Sequence, residues 1–204
     1  MKKVLVIVAH PDDEIIWMGG TLIRNKNNWD TTVISLCRIE DKDRNPKFFR
    51  ACEILGVNGF MSDLDDEIMN DVDVLEVIKR IKKFAEAEYD FIFTHGVNGE
   101  YGHKRHIGVN RAVVEMLNMK LLKAKKVLFF SYEKRENKHQ GYAIYNSSAD
   151  KLIKLNDDEL ATKKKIIQEI YGYKEGGFEE LSCGEIESFN ELKNENSCAL
   201  SISC

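Results

Sequence analysis

Apolar runs alternate with mixed segments over the first two thirds of the chain. The clearest runs lie at Lys3–Ala9, Thr31–Cys37, Asp90–Thr94 and Lys126–Tyr132, with a shorter run at Gly59–Ser62. They lack the apolar–polar alternation of a strand that has one wet face. Each run therefore predicts a strand that is covered on both faces, which is typical of parallel sheets.

Helical patterns separate these strands. In Asp71–Ala87 apolar residues recur at steps of one, three, three and four, which predicts an amphipathic helix. A second helix is predicted over Asp157–Tyr171, after an acidic start. The alternation predicts an α/β fold: a doubly wound, mostly parallel sheet of about five core strands flanked by helices, in the order 3-2-1-4-5 with right-handed crossovers.

The length of 204 residues suits one hydrophobic core, so we expect a single domain over 1–204. Within it, 1–132 is predicted to form the layered core, and 133–204 an irregular C-terminal extension packed on that core. The apolar pattern loosens beyond Tyr132, and Lys174–Cys204 is predicted only as a helix or tail at the domain edge.

Composition and charge exclude several function classes. Lys and Arg number 30 against 34 Asp and Glu, a formal charge of −4, so a nucleic-acid partner is not expected. Without a long apolar run, a membrane span is not expected. The apolar stretch after Met1–Lys3 is too short for an export signal, so we expect a cytoplasmic protein. The cysteines lack close pairing and receive no chemical role: Cys37, Cys52, Cys183, Cys198 and Cys204.

The first candidate site follows the first strand, in Ala9-His10-Pro11-Asp12-Asp13-Glu14. One imidazole and three carboxylates share this turn, and a helix N-terminus or a bound cation would offset their repulsion. Taken alone, Asp12 and Asp13 are more typical of helix caps. The histidine and a second cluster favour a metal site instead.

The second cluster, Thr94–His106, follows the fourth predicted strand and holds three of the five histidines. His103 and His106, three residues apart at a predicted helix start, would share a face. The role of His95 stays open. His139, in a charged stretch, is interpreted as a solvated histidine.

The predicted topology brings the two clusters together. In the order 3-2-1-4-5 the first and fourth strands are neighbours at the switch point, where ligand crevices open at the carboxyl ends. Two imidazoles and a carboxylate, with water in the remaining position, are the pattern of a catalytic zinc ion, which lowers the pKa of that water to about 7. The residues therefore predict a metal-dependent hydrolytic site.

These motifs resemble the LmbE-like (PIG-L) family of N-deacetylases. The family signature AHPDDE is present in full at Ala9–Glu14, and Met18–Leu22, Cys52–Val57 and Gly99–His103 leading to His106 are similar as well. The resemblance covers roughly the first 120 residues. It implies a Rossmann-like domain that binds one zinc ion per chain, or another divalent ion such as Fe²⁺, and removes the acetyl group from an N-acetylglucosamine conjugate.

By the same resemblance, His10, Asp13 and His106 would be the zinc ligands. Asp12 would be the general base that deprotonates the zinc-bound water. His103 would hydrogen-bond to the tetrahedral oxyanion as an imidazolium, or pass its proton to the leaving amine. Glu14 would orient a ligand from behind.

The sequence departs from the family at two places. Many members have His-Pro-Asp-His in the second cluster, whereas Lys104 and Arg105 stand between the histidines here. These cations are expected to face solvent, with recognition of an anionic substrate group as the alternative. The family's Arg and Glu on the helix before the Leu-Gly-Val stretch are interpreted as missing, because Pro46 and Phe48 stand near their positions.

Substrate recognition is assigned to polar loop residues at the same sheet edge, namely Arg38, Asp66, Asn98 and Tyr101. Trp17 and Met18 are interpreted as core residues. The expected partner is a small-molecule sugar conjugate, bound in a cleft that is either open or completed by a neighbouring subunit of a homo-oligomer. Two other functions stay open: a metallohydrolase of another amide or ester, and a non-catalytic sugar- or nucleotide-binding domain.

Overall fold

The computed structural model describes residues 1–67, 71–136 and 141–193. Its centre is a parallel sheet of β1 (Lys2–Val8), β2 (Trp29–Cys37), β3 (Asn58–Leu64), β4 (Glu88–Thr94) and β5 (Lys123–Phe130), in the order β3-β2-β1-β4-β5. The expected fold class and strand order are confirmed. The predictions for His139, Cys198 and Cys204 lie outside the described residues.

Helices cover both faces of the sheet. They are α1 (Asp13–Asn25), α2 (Arg44–Leu55), α3 (Val74–Ile81), α4 (Gly99–Gly102), α5 (Lys104–Asn118), α6 (Asp157–Lys165) and α7 (Phe178–Ser182), and a π-helical segment at Ile166–Ile170 continues α6. Helix α3 is shorter than predicted at both ends: the Asp73 side chain caps its start by accepting from Leu75 N, and the chain leaves the helix for turns after Ile81. Within the described ranges, every helix is too short or too polar to cross a bilayer.

Strand β1 is buried on both faces, as its unbroken apolar sequence predicts. Val4, Val6 and Val8 belong to a core shared with α1, α2 and the C-terminal helices. The alternate residues, Leu5 and Ile7, belong to a second core shared with α3 and α5. Because the strand is packed from both sides, the turn that follows it starts from a fixed position.

The C-terminal extension continues the sheet and is more regular than expected. β8 (Lys151–Lys154) and β9 (Ile186–Glu191) add antiparallel strands beyond β5, which gives the order β3-β2-β1-β4-β5-β9-β8. β6 (Tyr132–Glu136) and β7 (Gly141–Tyr145) form a separate antiparallel pair. The extension and the core therefore share one seven-stranded sheet.

Glu187 of β9 ties this extension to α1. Helix α1 is broken at Met18 (φ −149°), and the Glu187 carboxylate accepts hydrogen bonds from the N–H groups of Gly20 and Thr21 just beyond the break. Lys163 Nζ donates to the same carboxylate at 2.8 Å, and both charged side chains are fully buried. The carboxylate satisfies donors that the break would otherwise leave without acceptors.

Candidate metal centre

Two turns at the carboxyl end of the sheet form the site. The first runs from β1 through His10 into α1, and the second runs from β4 through His95 to α5, whose N-cap is His103. Strands β1 and β4 are paired neighbours. As a result His10 and His106, which are 96 residues apart in the chain, are in contact.

Three side chains, with four ligand atoms between them, face one another at the bottom of this site. His10 Nδ1 lies 3.2 Å from His106 Nε2 and 3.3 Å from Asp13 Oδ2, and His106 Nε2 lies 3.4 Å from Asp13 Oδ1. Ligand atoms held about 2.0–2.1 Å from a tetrahedral zinc ion are about 3.3–3.4 Å apart. The donor types and their separations therefore fit a divalent ion of this size.

A carboxylate holds the far side of each imidazole. His10 Nε2 lies 2.9 Å from Asp66 Oδ1, and His106 Nδ1 lies 2.5 Å from Glu100 Oε2. Because a carboxylate accepts, each imidazole directs an N–H outward and presents its other nitrogen to the centre. Two lone pairs and the Asp13 carboxylate then face one another, and they repel unless a cation or a proton lies between them.

The charges around the centre favour a positive occupant. Burial lowers the pKa of His10, but hydrogen bonds to Asp13 and Asp66 outweigh that effect and raise the pKa to about 10. Burial opposes ionisation of Asp13, yet the charges of His106 and His95 hold its pKa well below the usual value. In the absence of an ion, the site therefore attracts a proton.

His95, whose role the sequence leaves open, lies beside the centre. Its ring stacks on His106, with 3.8 Å between centroids, and Asp13, His95 and His106 bring one donor atom each within 4.8 Å of one another. Ala9 N donates to His95 Nε2 at 2.9 Å, however, and His95 Nδ1 lies 2.8 Å from Glu100 Oε2. Because both ring nitrogens of His95 already have hydrogen-bond partners, we assign His95 as a packing support for His106 and not as a metal ligand.

His10, His103 and His106 form a further donor group of the same size. The His103 ring lies at its rim, 4.7 Å from His10 and 4.6 Å from His106 between centroids. Arg105 N donates to His103 Nδ1 at 3.3 Å, so the ring proton lies on Nε2. Burial and the two neighbouring imidazoles lower the pKa of His103 to about 3. The lowered pKa favours the neutral ring, with its N–H at Nε2. The expected role of His103, toward the oxyanion or the leaving amine, stays a prediction.

Asp12 occupies the N-cap position of α1, but its side chain makes no capping hydrogen bond. Its backbone has φ 118°, in the left-handed region that non-glycine residues rarely adopt. The carboxylate instead accepts from Arg44 Nη1 at 2.6 Å and from the Tyr173 hydroxyl. Burial and the charge of Asp13 raise the pKa of Asp12 to about 7, against the opposing charge of Arg44. Helix capping alone does not account for this side chain.

Glu14 lies behind Asp12 and holds its backbone. Asp12 N donates to Glu14 Oε2 at 3.0 Å, and the Tyr171 hydroxyl donates to Glu14 Oε1 at 2.6 Å. Glu14 is fully buried, and burial raises its pKa to about 8. It therefore supports the strained turn at Asp12, whereas the sequence led us to expect that it would orient a metal ligand.

The site opens into a cavity of about 160 Å³. His106 is fully buried and contacts His10 and Asp13, which line the cavity. Trp17 is both buried and part of the wall, with Nε1 donating to Asp13 Oδ1 at 2.8 Å. Met18 is buried in the core, as expected. The wall brings together seven of the predicted residues: His10, Asp12, Asp13, Arg38, Asp66, Tyr101 and His103.

The C-terminal extension closes the other side of this cavity. Tyr173, Phe178 and Glu179 line it, and Phe178 packs against Tyr101 with 4.7 Å between ring centroids. The cleft is thus completed by the chain's own extension. The sequence analysis did not foresee this contribution.

Two predicted residues are placed differently. Asn98 lines a separate cavity of about 940 Å³, and its side chain donates to Tyr132 O and accepts from Glu100 N. Arg105, expected in solvent, is 1% exposed and donates to Asp65 O at 2.5 Å, whereas Lys104 is exposed. The burial of Arg105 against Asp65 argues against both solvent exposure and recognition of an anionic substrate.

Sequence reasoning missed three contributors, Arg44, Tyr173 and Glu100. Arg44 stands two residues before Pro46, so α2 does supply an arginine to the cavity, contrary to expectation. Glu100 lies inside the second cluster, between His95 and His103. Its position between histidines could have indicated a carboxylate that supports an imidazole. Tyr173 reaches Asp12 from 161 residues away, and no local pattern indicates that contact.

Fold and site define a class of α/β proteins that carry a histidine and aspartate cluster at the switch point of a parallel sheet. This chain belongs to the PIG-L family: residues 5–117 match the family model described as GlcNAc-PI de-N-acetylase. A curated relative, an uncharacterized protein of Acanthamoeba polyphaga mimivirus, is 27% identical over 128 residues. That match spans 55% of this chain and 56% of the relative, so it covers little more than half of either protein.

Solved structures share the fold over nearly the whole chain. The conserved protein TT1542 from Thermus thermophilus has a TM-score of 0.68 at 18% identity, covering 93% of this chain and 94% of that one. N,N'-diacetylchitobiose deacetylase from Pyrococcus horikoshii has a TM-score of 0.67 at 16% identity, and the match covers 94% of this chain and 84% of that one. GalB, the 4-carboxy-2-hydroxymuconate hydratase from Pseudomonas putida, has a TM-score of 0.68 at 15% identity, and the match covers 95% of this chain and 97% of that one. At these identities the likeness establishes the fold.

Proposed function

We propose that this protein is a zinc-dependent N-deacetylase that removes the acetyl group from an N-acetylated sugar, specifically an N-acetylglucosamine conjugate. The observation that carries the proposal is the convergence of His10, Asp13 and His106, whose donor atoms lie 3.2–3.4 Å apart beside the buried carboxylate of Asp12. Membership of the PIG-L family supports this reaction class.

A zinc ion held by these residues would polarise the amide carbonyl and make water a nucleophile near neutral pH. Asp12 takes the proton from the attacking water, because its pKa of about 7 makes it a base matched to neutral solution. Arg44 and the Tyr173 hydroxyl hold its carboxylate, and Glu14 holds its backbone N–H. The base is therefore oriented before substrate arrives.

His103 serves as a neutral donor to the carbonyl oxygen as negative charge develops there. Its Nδ1 accepts from Arg105 N, which leaves the Nε2 proton free to be donated. Asp12, protonated in the first step, returns that proton to the nitrogen of the departing amine. Cleavage of the C–N bond then gives acetate and the free amino sugar.

The cavity supports a small polar substrate group. Its volume of about 160 Å³ is below the range of about 300–1,000 Å³ that is typical of pockets for drug-sized ligands. Arg38 and Glu179 offer hydrogen-bonding groups at its wall, and Tyr101 and Phe178 offer an apolar face. A sugar ring fits such a wall, because it has hydroxyl groups that form hydrogen bonds and an apolar face that packs against aromatic rings. Asp66, by contrast, is assigned to His10 and not to substrate.

Acetate release is the decisive measurement. Protein stripped with a chelator and reloaded with Zn²⁺ or Fe²⁺ is incubated with N-acetylglucosamine, its disaccharides and its phosphate- and lipid-linked conjugates, and both acetate and free amine are quantified. We expect equal amounts of the two products, only in reloaded protein. GalB shows that this fold also carries out hydration, so product analysis must show C–N cleavage. A protein that binds about one ion per chain but releases no acetate from any conjugate would contradict the proposal.

A further inference from the structure

We infer that Arg105 is a positioning residue for the metal centre: it fixes the loop after β3 so that Asp66 can hold His10 in the orientation of a metal ligand. Arg105 lies on α5, in the same turn as His106. The inference deepens the proposed function and uses its assignment of His10 as a ligand.

Two hydrogen bonds of the Arg105 guanidinium reach Asp65, directly after β3. Nε donates to Asp65 O at 2.5 Å, and Nη2 donates to Asp65 Oδ2 at 3.1 Å. The Asp65 carbonyl belongs to the peptide unit that joins Asp65 to Asp66. The planar fork of Arg105 therefore fixes the orientation of the peptide from which Asp66 begins.

Asp66 passes this constraint to the centre. Its Oδ1 lies 2.9 Å from His10 Nε2, and its Oδ2 accepts from Arg38 Nε at 3.0 Å and from Arg38 Nη2 at 2.6 Å. The backbone of Asp66 is thus set by Arg105 and its side chain by Arg38. With Nε2 held, His10 directs Nδ1 at His106 Nε2 and the Asp13 carboxylate.

The backbone contact distinguishes this role from that of an ordinary surface ion pair. The Arg105 side chain is 2% exposed, whereas that of Asp65 is 55% exposed, and an ion pair with so exposed a partner contributes little. Removing the Asp65 carboxylate should therefore leave the centre almost unchanged. Removing the guanidinium should disturb it, because the carbonyl of Asp65 would lose a donor.

Metal affinity, measured without substrate, tests this inference. Apo-protein is titrated with Zn²⁺ in competition with a chromophoric chelator, and with Co²⁺ while its visible absorption bands are recorded. We expect Arg105→Met to bind Zn²⁺ about 10–100-fold more weakly and to alter the Co²⁺ bands, because loss of an outer support costs about this much affinity. Lys104→Met, an exposed neighbour on the same helix turn, and Asp65→Ala should match the unmodified protein.

Arg105→Lys keeps the charge, but a methylene group replaces Nε, the atom that donates to Asp65 O, so we expect it to weaken binding as well. This variant carries the test if Arg105→Met does not fold. Asp66→Asn should lose a similar factor, and the double variant Arg105→Met/Asp66→Asn should be no weaker than the weaker single variant, because both act on His10. Additive losses, or unchanged affinity and Co²⁺ bands in folded Arg105 variants, would overturn the inference. Zn²⁺ affinity and the Co²⁺ bands are measured without substrate, so they test the role of Arg105 even if the protein proves not to be a deacetylase.

Discussion

Glu100 Oε2 lies 2.5 Å from His106 Nδ1. The same oxygen lies 2.8 Å from His95 Nδ1, and Oε1 accepts from Gly96 N at 2.7 Å, so one fully buried carboxylate serves three donors. The backbone of Glu100 has φ 59° and ψ −57°, outside the regions that L-residues normally adopt. Such strain persists where the surrounding structure holds it in place, as these three donors do here.

Replacing this carboxylate by an amide should weaken metal binding. In Glu100→Gln one end of the side chain carries N–H groups, so either Gly96 N or the two imidazoles face a donor where they now face an acceptor. We expect the affinity for Zn²⁺ to fall about 10–100-fold, because His106 loses the partner that fixes its tautomer. Competition with a chromophoric chelator measures the change. Glu115→Gln, on the exposed side of α5, is the control, and equal affinity in both variants would contradict the role of Glu100.

Asp12 and His106 should separate catalysis from metal binding. Asp12→Asn preserves shape and the ability to accept from Arg44, but it cannot take a proton from water, so we expect retained metal and at least about a 100-fold loss of acetate release. His106→Ala removes a ligand and should lose both metal and activity. Elemental analysis after dialysis and an acetate assay check the pair. Turnover of Asp12→Asn at the unmodified rate would show that another group is the base.

The sheet and the meeting of the two clusters could be predicted because both follow from local patterns. An unbroken apolar run such as that of β1 predicts a strand buried on both faces, and the order of strands then places the turns after β1 and β4 side by side. The spacing of His103 and His106 likewise predicts a shared helix face. These inferences need no knowledge of a particular side-chain contact.

The remaining features depend on packing between distant segments, which local patterns do not encode. Arg105 lies one position from His106 on α5, and only the approach of the loop after β3 decides that it is buried. Tyr173 follows a helix whose apolar pattern is weak, yet its hydroxyl reaches Asp12. Glu187 appears in the sequence as one more acidic residue near the C-terminus. Its backbone donors, Gly20 and Thr21, lie more than 160 residues away.

Loss of the Glu187 carboxylate should destabilise the whole fold. In Glu187→Ala the buried Lys163 ammonium and the N–H groups of Gly20 and Thr21 lose their acceptor, and a broken buried ion pair costs about 3–5 kcal/mol. We expect a decrease of about that size in the free energy of unfolding, measured in urea. Glu185→Ala, two residues away with an exposed side chain, should change the free energy by less than about 0.5 kcal/mol. A similar small change for Glu187→Ala would show that the carboxylate does not hold α1 to the extension.

Metal removal should lower stability, because His10, Asp13 and His106 converge only when the turns after β1 and β4 are both folded. A ligand that binds only the folded state adds about 2.7 kcal/mol at a free concentration of one hundred times its dissociation constant. Protein dialysed against a chelator should therefore unfold at a lower temperature, and stoichiometric Zn²⁺ should restore the difference. His106→Ala should show no such stabilisation, whereas Asp12→Asn should show most of it, because Asp12 holds no ion in this assignment. If Zn²⁺ stabilised His106→Ala as strongly as the unmodified protein, the ion would be bound elsewhere in the chain.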